Sequence, residues 1–496
     1  MRLRLLAMPQ PPADAEILCL SACELARRLR ARQLRSVAVV QAHIARAEAT
    51  HQAVNAIVAD RFAAALQEAA AADERLDSAA AADLPPLLGV PCTIKESFGF
   101  AGMPNTAGLL SRRGVQVATD AVTVMRIRQA GAIPIGVTNT SELCMWLESS
   151  NRVYGCTNNP YDRRRMVGGS SGGEGAIVAS GASPFGIGSD IGGSIRLPAQ
   201  FCGVFGHKCS SGLIPNSGQF PVAHGDASRM LSAGPLCRKA EDLWPLVLLL
   251  AGPDGRDEAC VPRVLGDPAT VDVGKLRVFV IDKVAMHRAS AAQRHGLERA
   301  VQALRDRGAD VRPVAFAGMA ESFLLWSQRL SAASPQTFHQ LLGGDNDAPD
   351  LRRELGKWVR GKSAHTLPAL GLAVLEKVPF LAGGDVAVAL GKIADLRKRI
   401  EDTLGDDGVI VQPTFPRQAT RHHVQMLRPM ESGWTGIYNA LELPATHVPT
   451  GLRAGLPTGV QVVGRHGKDH VTVAVALTLE QALGGWVPPW TVPGGI

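Results

Sequence analysis

The chain has 496 residues, 46% hydrophobic and 20% charged, a globular composition that excludes whole-chain disorder. No apolar run approaches the ~18–20 residues that span a bilayer, and the apolar part of the opening MRLRLLAMPQ is too short for a secretory leader, so a cytoplasmic protein without a transmembrane anchor is expected. Net charge is +7, but only 5% of residues are aromatic, and the small basic clusters (Arg27 to Arg35, Arg163 to Arg165, Arg352 to Lys362) lack interleaved aromatics, which argues against a nucleic-acid partner.

The first ~80 residues read as helical. Ser21 and Glu24 have the spacing of a capping box. Ser36 is placed to cap a second helix that runs to about Thr50, and the Ala-rich stretch 63–82 continues the helical tendency. The texture changes near Leu87. Residues 89–95 form a short apolar run, a helix is expected over 121–130 with Asp120 as its cap, and 133–137 is again strand-like. That strand–helix–strand order favours a mixed or parallel sheet. Further buried strands are expected at 278–281, 311–314, 409–411 and 460–463, with helices at 291–307 and 386–404. Residues 317–379 are mostly helical with a loop-like break at 343–349, and read as an insertion that would cover a site. The expected fold class is α/β, one large domain over 1–496 with a helical N-terminal arm (1–84) and a core at 85–260.

The nine cysteines are scattered from Cys19 to Cys260 with no CxxC pair, and there is no HExxH. Reduced thiols and no metal site are therefore expected. The 52 glycines are densest between Val167 and Gly193, where GGSSGGE occupies 168–174 and GIGSDIGGSIR occupies 186–196. Clustered glycines let backbone N–H groups approach a ligand closely. A phosphate loop is excluded because GxxxxGK[ST] is absent, and a dinucleotide loop fails because Ile191 stands where its third glycine belongs. Residues 168–172 formally fit GxSxG, the nucleophile elbow of α/β-hydrolases with Ser170 as nucleophile. That motif needs a strand directly before it, and Asp162-Arg-Arg-Arg-Met does not read as one.

A longer pattern fits better. GGSSGGE at 168–174, GSDIGGSIRLP at 188–198 and TIKE at 93–96 together resemble the amidase signature family. The likeness continues through 201–208, 218–221, 236–242, 438–444 and 455–461, and within the family the chain is most similar to the fatty acid amide hydrolase-like branch. The resemblance implies a large twisted mixed β-sheet covered by helices on both sides. It also implies a triad in which Ser194 is the nucleophile, Ser170 the bridging serine after a cis peptide bond, and Lys95 the base. The spacings, 75 residues from Lys95 to Ser170 and 24 from Ser170 to Ser194, match that branch. Backbone N–H groups of Ile191, Gly192, Gly193 and Ser194 would form the oxyanion hole. Ser171, Ser189, Asp190 and Arg196 would support the site, the last two as an ion pair. Cys144, Met145 and Trp146, with Leu147, would line the acyl pocket; Leu324, Leu325, Trp326 and residues 434–438 would add to its wall. Two stretches depart from the family pattern, KCSSGLI at 208–214 and QPTFP at 412–416; they bear on loop shape and substrate choice and leave the triad intact.

Amide hydrolysis needs an activated nucleophile, a stabilised oxyanion and a proton for the departing nitrogen. A lysine with the reference pKa of ~10.4 is neutral in only about one molecule in 10³ near pH 7, so burial must lower it. The competing structural reading of Lys95 is an ion pair with Glu96 or Glu142. The expected activity is hydrolysis of carboxamide C–N bonds, extending to esters, anilides and carbamates (a urethanase), on a small-molecule substrate with a hydrophobic acyl or aryl group. No cofactor is expected; a homodimer stays open. The alternatives are a glutamine-amidase subunit of a tRNA-dependent amidotransferase, the elbow hydrolase with Ser170, and a scaffold without activity.

Overall fold

A computed structural model describes residues 10–284, 287–344, 346–377 and 386–496. The opening segment 1–9, Asp345 in the expected break at 343–349, and residues 378–379 at the end of the expected insertion lie outside them. Among the described residues, eleven strands form one sheet. In chain order they are β1 (Ile57–Asp60), β2 (Pro91–Lys95), β3 (Ile133–Thr138), β4 (Phe185–Asp190), β5 (Phe205–Lys208), β6 (Ser232–Cys237), β7 (Arg277–Val280), β8 (Asp310–Pro313), β9 (Gly408–Pro413), β10 (Ala445–Arg453) and β11 (Leu456–Val463). Their spatial order is β1-β3-β2-β4-β6-β5-β10-β11-β9-β7-β8. The pairs β3–β2–β4 and β9–β7–β8 are parallel and the others antiparallel, so the sheet is mixed.

Helices cover both faces. Successive strand side chains point to opposite faces, and β2 shows the division. Cys92 and Ile94 join a core built on helices Ala22–Arg30, Val122–Gln129, Leu243–Leu250, Ala291–Asp306 and Asp469–Leu483. Thr93 and Lys95 point the other way, where Thr93 meets Glu174 of helix Gly172–Ala179. Helices Ser36–Val54, Ser322–Ala333, Val386–Leu404 and Gly433–Ala440 belong to further apolar clusters. All nine cysteines are free, as the sequence leads one to expect. Among the described residues, no helix is long and apolar enough to cross a membrane.

The expected strands and helices form with boundaries shifted by a few residues, but their ends differ in chemistry. Ser21 accepts from the Glu24 N–H at 2.9 Å, while the Glu24 carboxylate turns to Arg27 and Arg28, so only half of the capping box is made. Ser36 is not the cap of its helix. Its hydroxyl donates to the Gly89 carbonyl, and Asp73, 37 residues away, accepts the Ser36 and Val37 N–H groups at 2.7 and 3.1 Å. Asp120 does not cap helix Val122–Gln129 either; it accepts from the Ala101 N–H and from Arg128. Residues Asp162–Met166, read as non-strand, do form a strand. It pairs with Asn158–Asn159 in a separate two-stranded sheet, outside the main sheet from which a nucleophile elbow would spring. Its arginines escape the apolar-run rule because the hairpin lies at the surface, where Arg163 and Arg164 are exposed.

Because Asp73 holds two N–H groups that have no helical partner, Asp73→Ala should cost about 1–2 kcal/mol. The denaturation midpoint should fall with the m-value unchanged, and Asp73→Asn, which keeps one oxygen acceptor, should fall less. An unchanged midpoint in Asp73→Ala would show that this distant cap is dispensable.

Candidate active site

Two adjacent parallel strands, β2 and β4, end side by side in register, with Thr93 opposite Gly186 and Ile94 opposite Ile187. Their C-terminal ends deliver Lys95 on one side and Ser189 and Asp190 on the other. Helix Gly172–Ala179 lies across them, and β4 must be bare for it to do so: a Cβ at Gly186 would collide with Glu174 Oε2. The glycines of this stretch therefore set how closely the Ser170 turn approaches the lysine.

Lys95 is fully buried. Its Nζ is hydrogen-bonded to Ser170 Oγ at 2.7 Å and to Ser189 Oγ at 3.0 Å. Neither carboxylate of the ion-pair reading reaches it. Glu96 accepts from the Thr106 and Ala107 N–H groups and from the Thr106 and Tyr154 hydroxyls. Glu142 is engaged by His365 and the Thr366 N–H. Burial pushes the Lys95 pKa below the ordinary 10.5, opposed by the nearby Cys144 thiol and by the Asp190 and Glu174 carboxylates. Desolvation also drives Glu174 up to about 8, against the hydroxyls of Thr93 and Thr138 that donate to it.

The Gly169–Ser170 peptide bond is cis, in agreement with the family resemblance. Ser149 fixes this turn: its hydroxyl donates to the Ser170 carbonyl at 2.8 Å and accepts the Gly172 N–H at 2.9 Å. Ser171 neither touches Lys95 nor caps its helix with its side chain; its hydroxyl donates to the Ser189 carbonyl at 3.2 Å. The Ser171 N–H donates to the Ser194 carbonyl at 3.2 Å, which ties the two serine loops together. Ser194 is 8% exposed.

Asp190 and Arg196 form the expected ion pair, with Nε and Nη2 each 3.0 Å from a carboxylate oxygen and both side chains wholly buried. Burial alone would raise the Asp190 carboxyl; Arg196 outweighs it and holds it at about 2. The same carboxylate accepts the Gly193 N–H at 2.6 Å and the Ile195 N–H at 3.1 Å. This corrects the expected oxyanion set. The Gly193 N–H is spent on Asp190, whereas those of Ile191, Gly192 and Ser194 meet no acceptor among the described residues. Gly193 contributes conformation instead: its φ of +125° lies where L side chains are strained, and a Cβ there would collide with Thr435 Oγ1.

Of the expected pocket residues, Cys144 has φ +58° and its thiol lies 3.3 Å from Thr140 Oγ1. Met145 packs with Leu109, Leu143, Phe338 and Ala369. Trp146 has its carbonyl against Gly169 and its buried Nε1–H without a partner among the described residues. Trp326 Nε1 donates to the Ile191 carbonyl at 2.9 Å, and its ring stands over Gly192. Two cavities of about 520 and 610 Å³ lie elsewhere, one between residues 68–75 and 125–133 and the other along residues 47–62, and neither is lined by Lys95, Ser170 or Ser194. Sequence reasoning placed Thr435 only in the 434–438 pocket wall, whereas its hydroxyl donates to the Gly192 carbonyl at 2.6 Å. It missed Ser149, which sits in no glycine-rich pattern, so no local signal marked it.

Residues 38–473 match the family described as Amidase. A fatty-acid amide hydrolase 2-A from Danio rerio is 43% identical over 97% of this chain and 91% of its own length. One of the subunits of the glutamyl-tRNA(Gln) amidotransferase from Nitratidesulfovibrio vulgaris is 30% identical over 96% of this chain and 99% of its own. Among solved structures, a fatty acid amide hydrolase superposes with a TM-score of 0.79 at 24% identity, covering 97% of this chain and 87% of that one.

Removing the charge of Asp190 would strand a buried guanidinium, which costs about 3–5 kcal/mol. Asp190→Asn should therefore lower the thermal midpoint sharply, and at any temperature where it stays folded its turnover should fall because Gly193 and Ile195 lose their anchor. A variant with native stability and turnover would refute this role.

Proposed function

We propose, for a chain that belongs to the amidase family and hydrolyses amides, that Ser194 is the nucleophile, Ser170 the proton relay and Lys95 the base. The observation that carries this reading is the buried Lys95 amine bonded to two hydroxyls and to no carboxylate. A neutral amine there accepts a proton from Ser170 through its lone pair while an N–H donates to Ser189.

Ser170 in turn takes the proton of Ser194 as Ser194 Oγ attacks the carbonyl carbon. The carbonyl electron pair moves onto oxygen, and the N–H groups of Ile191, Gly192 and Ser194 receive the oxyanion. One such donor typically contributes ~2.7–4 kcal/mol to the transition state. The proton then returns through Ser170 to the nitrogen as the C–N bond breaks. Water adds to the acyl-enzyme by the same route and restores Ser194. Ser149, Ser171 and Asp190 with Arg196 position these groups.

The substrate class follows from the walls. Met145, Trp146, Leu147 and Trp326 offer apolar surface with one unpartnered indole N–H, which suits a hydrophobic acyl or aryl amide. Anilides, esters and carbamates present the same carbonyl to the same steps. Helices between Met319 and Leu375 form the cover in this reading, because Trp326 reaches the nucleophile loop and Phe338 and Ala369 belong to the apolar cluster on which Met145 packs.

A matched panel of p-nitroanilide, ester, carbamate and glutamine substrates tests the assignment. Ser194→Ala should abolish turnover of all of them, and glutamine should be the poorest substrate of the wild type. Retained hydrolysis in Ser194→Ala would sink the nucleophile assignment, and preferred glutamine turnover would favour the amidotransferase-type reading. Lys95→Ala should slow amides more than activated esters, since only the amine needs the relayed proton to depart. Because the neutral amine is the active form and burial lowers its pKa, kcat/KM for amides should rise with pH through an ionisation below 10.5. A profile with no such ionisation would count against Lys95 as base.

A further inference from the structure

Glu148, Cys156 and His422 converge although 266 residues separate the last two. His422 Nδ1 lies 2.5 Å from Glu148 Oε1 and 3.5 Å from Cys156 Sγ, and Cys156 Sγ is 3.8 Å from Glu148 Oε1. His423 Nδ1 stands 3.9 Å from Glu148 Oε2. Side-chain exposure grades outward, from 1% at Glu148 to 20% at His422 and 72% at His423, so a cation can enter from solvent. None of these side chains takes part in the proposed hydrolytic steps.

We propose that Glu148, Cys156 and His422, with a water molecule completing the set, bind a divalent cation of the zinc class. The donor set selects it: thiolate sulfur and imidazole nitrogen with one carboxylate suit zinc-like ions, whereas magnesium and calcium require oxygen ligands. The spacing agrees. Tetrahedral zinc with ordinary bond lengths puts its ligand atoms about 3.4–3.6 Å apart. The sulfur–nitrogen and sulfur–oxygen edges are 3.5 and 3.8 Å, and only the nitrogen–oxygen edge, a hydrogen bond of 2.5 Å, must widen when a cation replaces its proton. Outer partners orient the ligands, as they do in metal sites generally. His422 Nε2 faces the Arg163 carbonyl at 3.4 Å, and Glu148 Oε2 accepts the His423 N–H at 3.0 Å. Cys156 is held by the short hairpin that pairs Gly155–Cys156 with Ser150–Asn151.

The other convergent group, His207, Cys209 and Asp469, is sealed. Both ring nitrogens of His207 already have partners in Thr446 and Asp469, and Ser210 fills the remaining Asp469 oxygen. It has no entrance from solvent. The Glu148 site has one, and its position gives a cation a consequence. Glu148 adjoins Ser149, which holds the Ser170 carbonyl, so an occupied site ties the 421–423 loop to the brace of the Ser170 turn.

The test is Co²⁺ titrated into chelator-treated full-length protein. It is read by the thiolate-to-cobalt charge-transfer band in the near ultraviolet and the visible bands of a tetrahedral ion, followed by displacement with Zn²⁺. Wild type should take up one equivalent and lose the bands to Zn²⁺. Cys156→Ser should lose the charge-transfer band, His422→Gln should bind at least about tenfold more weakly, and Cys144→Ser should match wild type. Absence of the bands in wild type, or a charge-transfer band of equal intensity in Cys156→Ser, would overturn the proposal. The wild-type titration decides the matter even where Cys156→Ser does not fold.

Discussion

A lysine amine buried among hydroxyls, with no carboxylate bound to it, is the constraint around which the rest of this molecule is arranged. An ammonium ion removed from water costs several kcal/mol unless an opposite charge neutralises it. Two carboxylates lie close enough to Lys95 to influence it, and each is otherwise engaged. Asp190 is taken by Arg196 and by the backbone N–H groups of Gly193 and Ile195. Glu174 is held by two threonine hydroxyls, and burial raises it to about 8, so it carries less negative charge toward the amine than an ordinary glutamate. The environment thus withholds the partner that would keep Lys95 protonated. Gly186 leaves room for Glu174 itself, so the backbone composition of β4 is part of the electrostatics.

Much of this is legible in the sequence because it is local or periodic. The apolar run before Lys95 marks a strand, and the strand–helix alternation marks a mixed sheet. The GGSSGGE and GGSIR stretches single out Ser170 and Ser194. What escapes is chemistry supplied from a distance. Ser36 sits where a cap belongs, yet Asp73 does the capping, because the two oxygens of a carboxyl group placed by a neighbouring helix can take two N–H groups at once. Gly193 sits where an oxyanion donor belongs, yet its N–H points at Asp190. The identity of a glycine does not reveal the direction of its N–H. Asp162–Met166 does not read as a strand because a surface hairpin needs no buried face to pair. Glu148, Cys156 and His422 show no metal-ligand spacing at all, since their proximity is created by the fold of two remote segments.

The segment from Glu142 to Ser150 gathers these distant influences. At one end, Glu142 receives His365 and the Thr366 N–H, joining the helical segment near 367–375 to the residues that precede Cys144 and Met145. In the middle, the Trp146 carbonyl and the Glu148 N–H lie so close to Gly169 that any side chain there would collide with them. At the other end, Ser149 fixes the Ser170 carbonyl while Glu148 receives His422 and the His423 N–H. Packed interiors transmit displacement because they contain few voids that absorb it. A shift of the 365–366 contact or of the 422–423 contact therefore reaches the Ser170 turn through one short stretch of backbone. The hydroxyl that faces Lys95 is positioned by that stretch as much as by the glycine-rich turn that carries it.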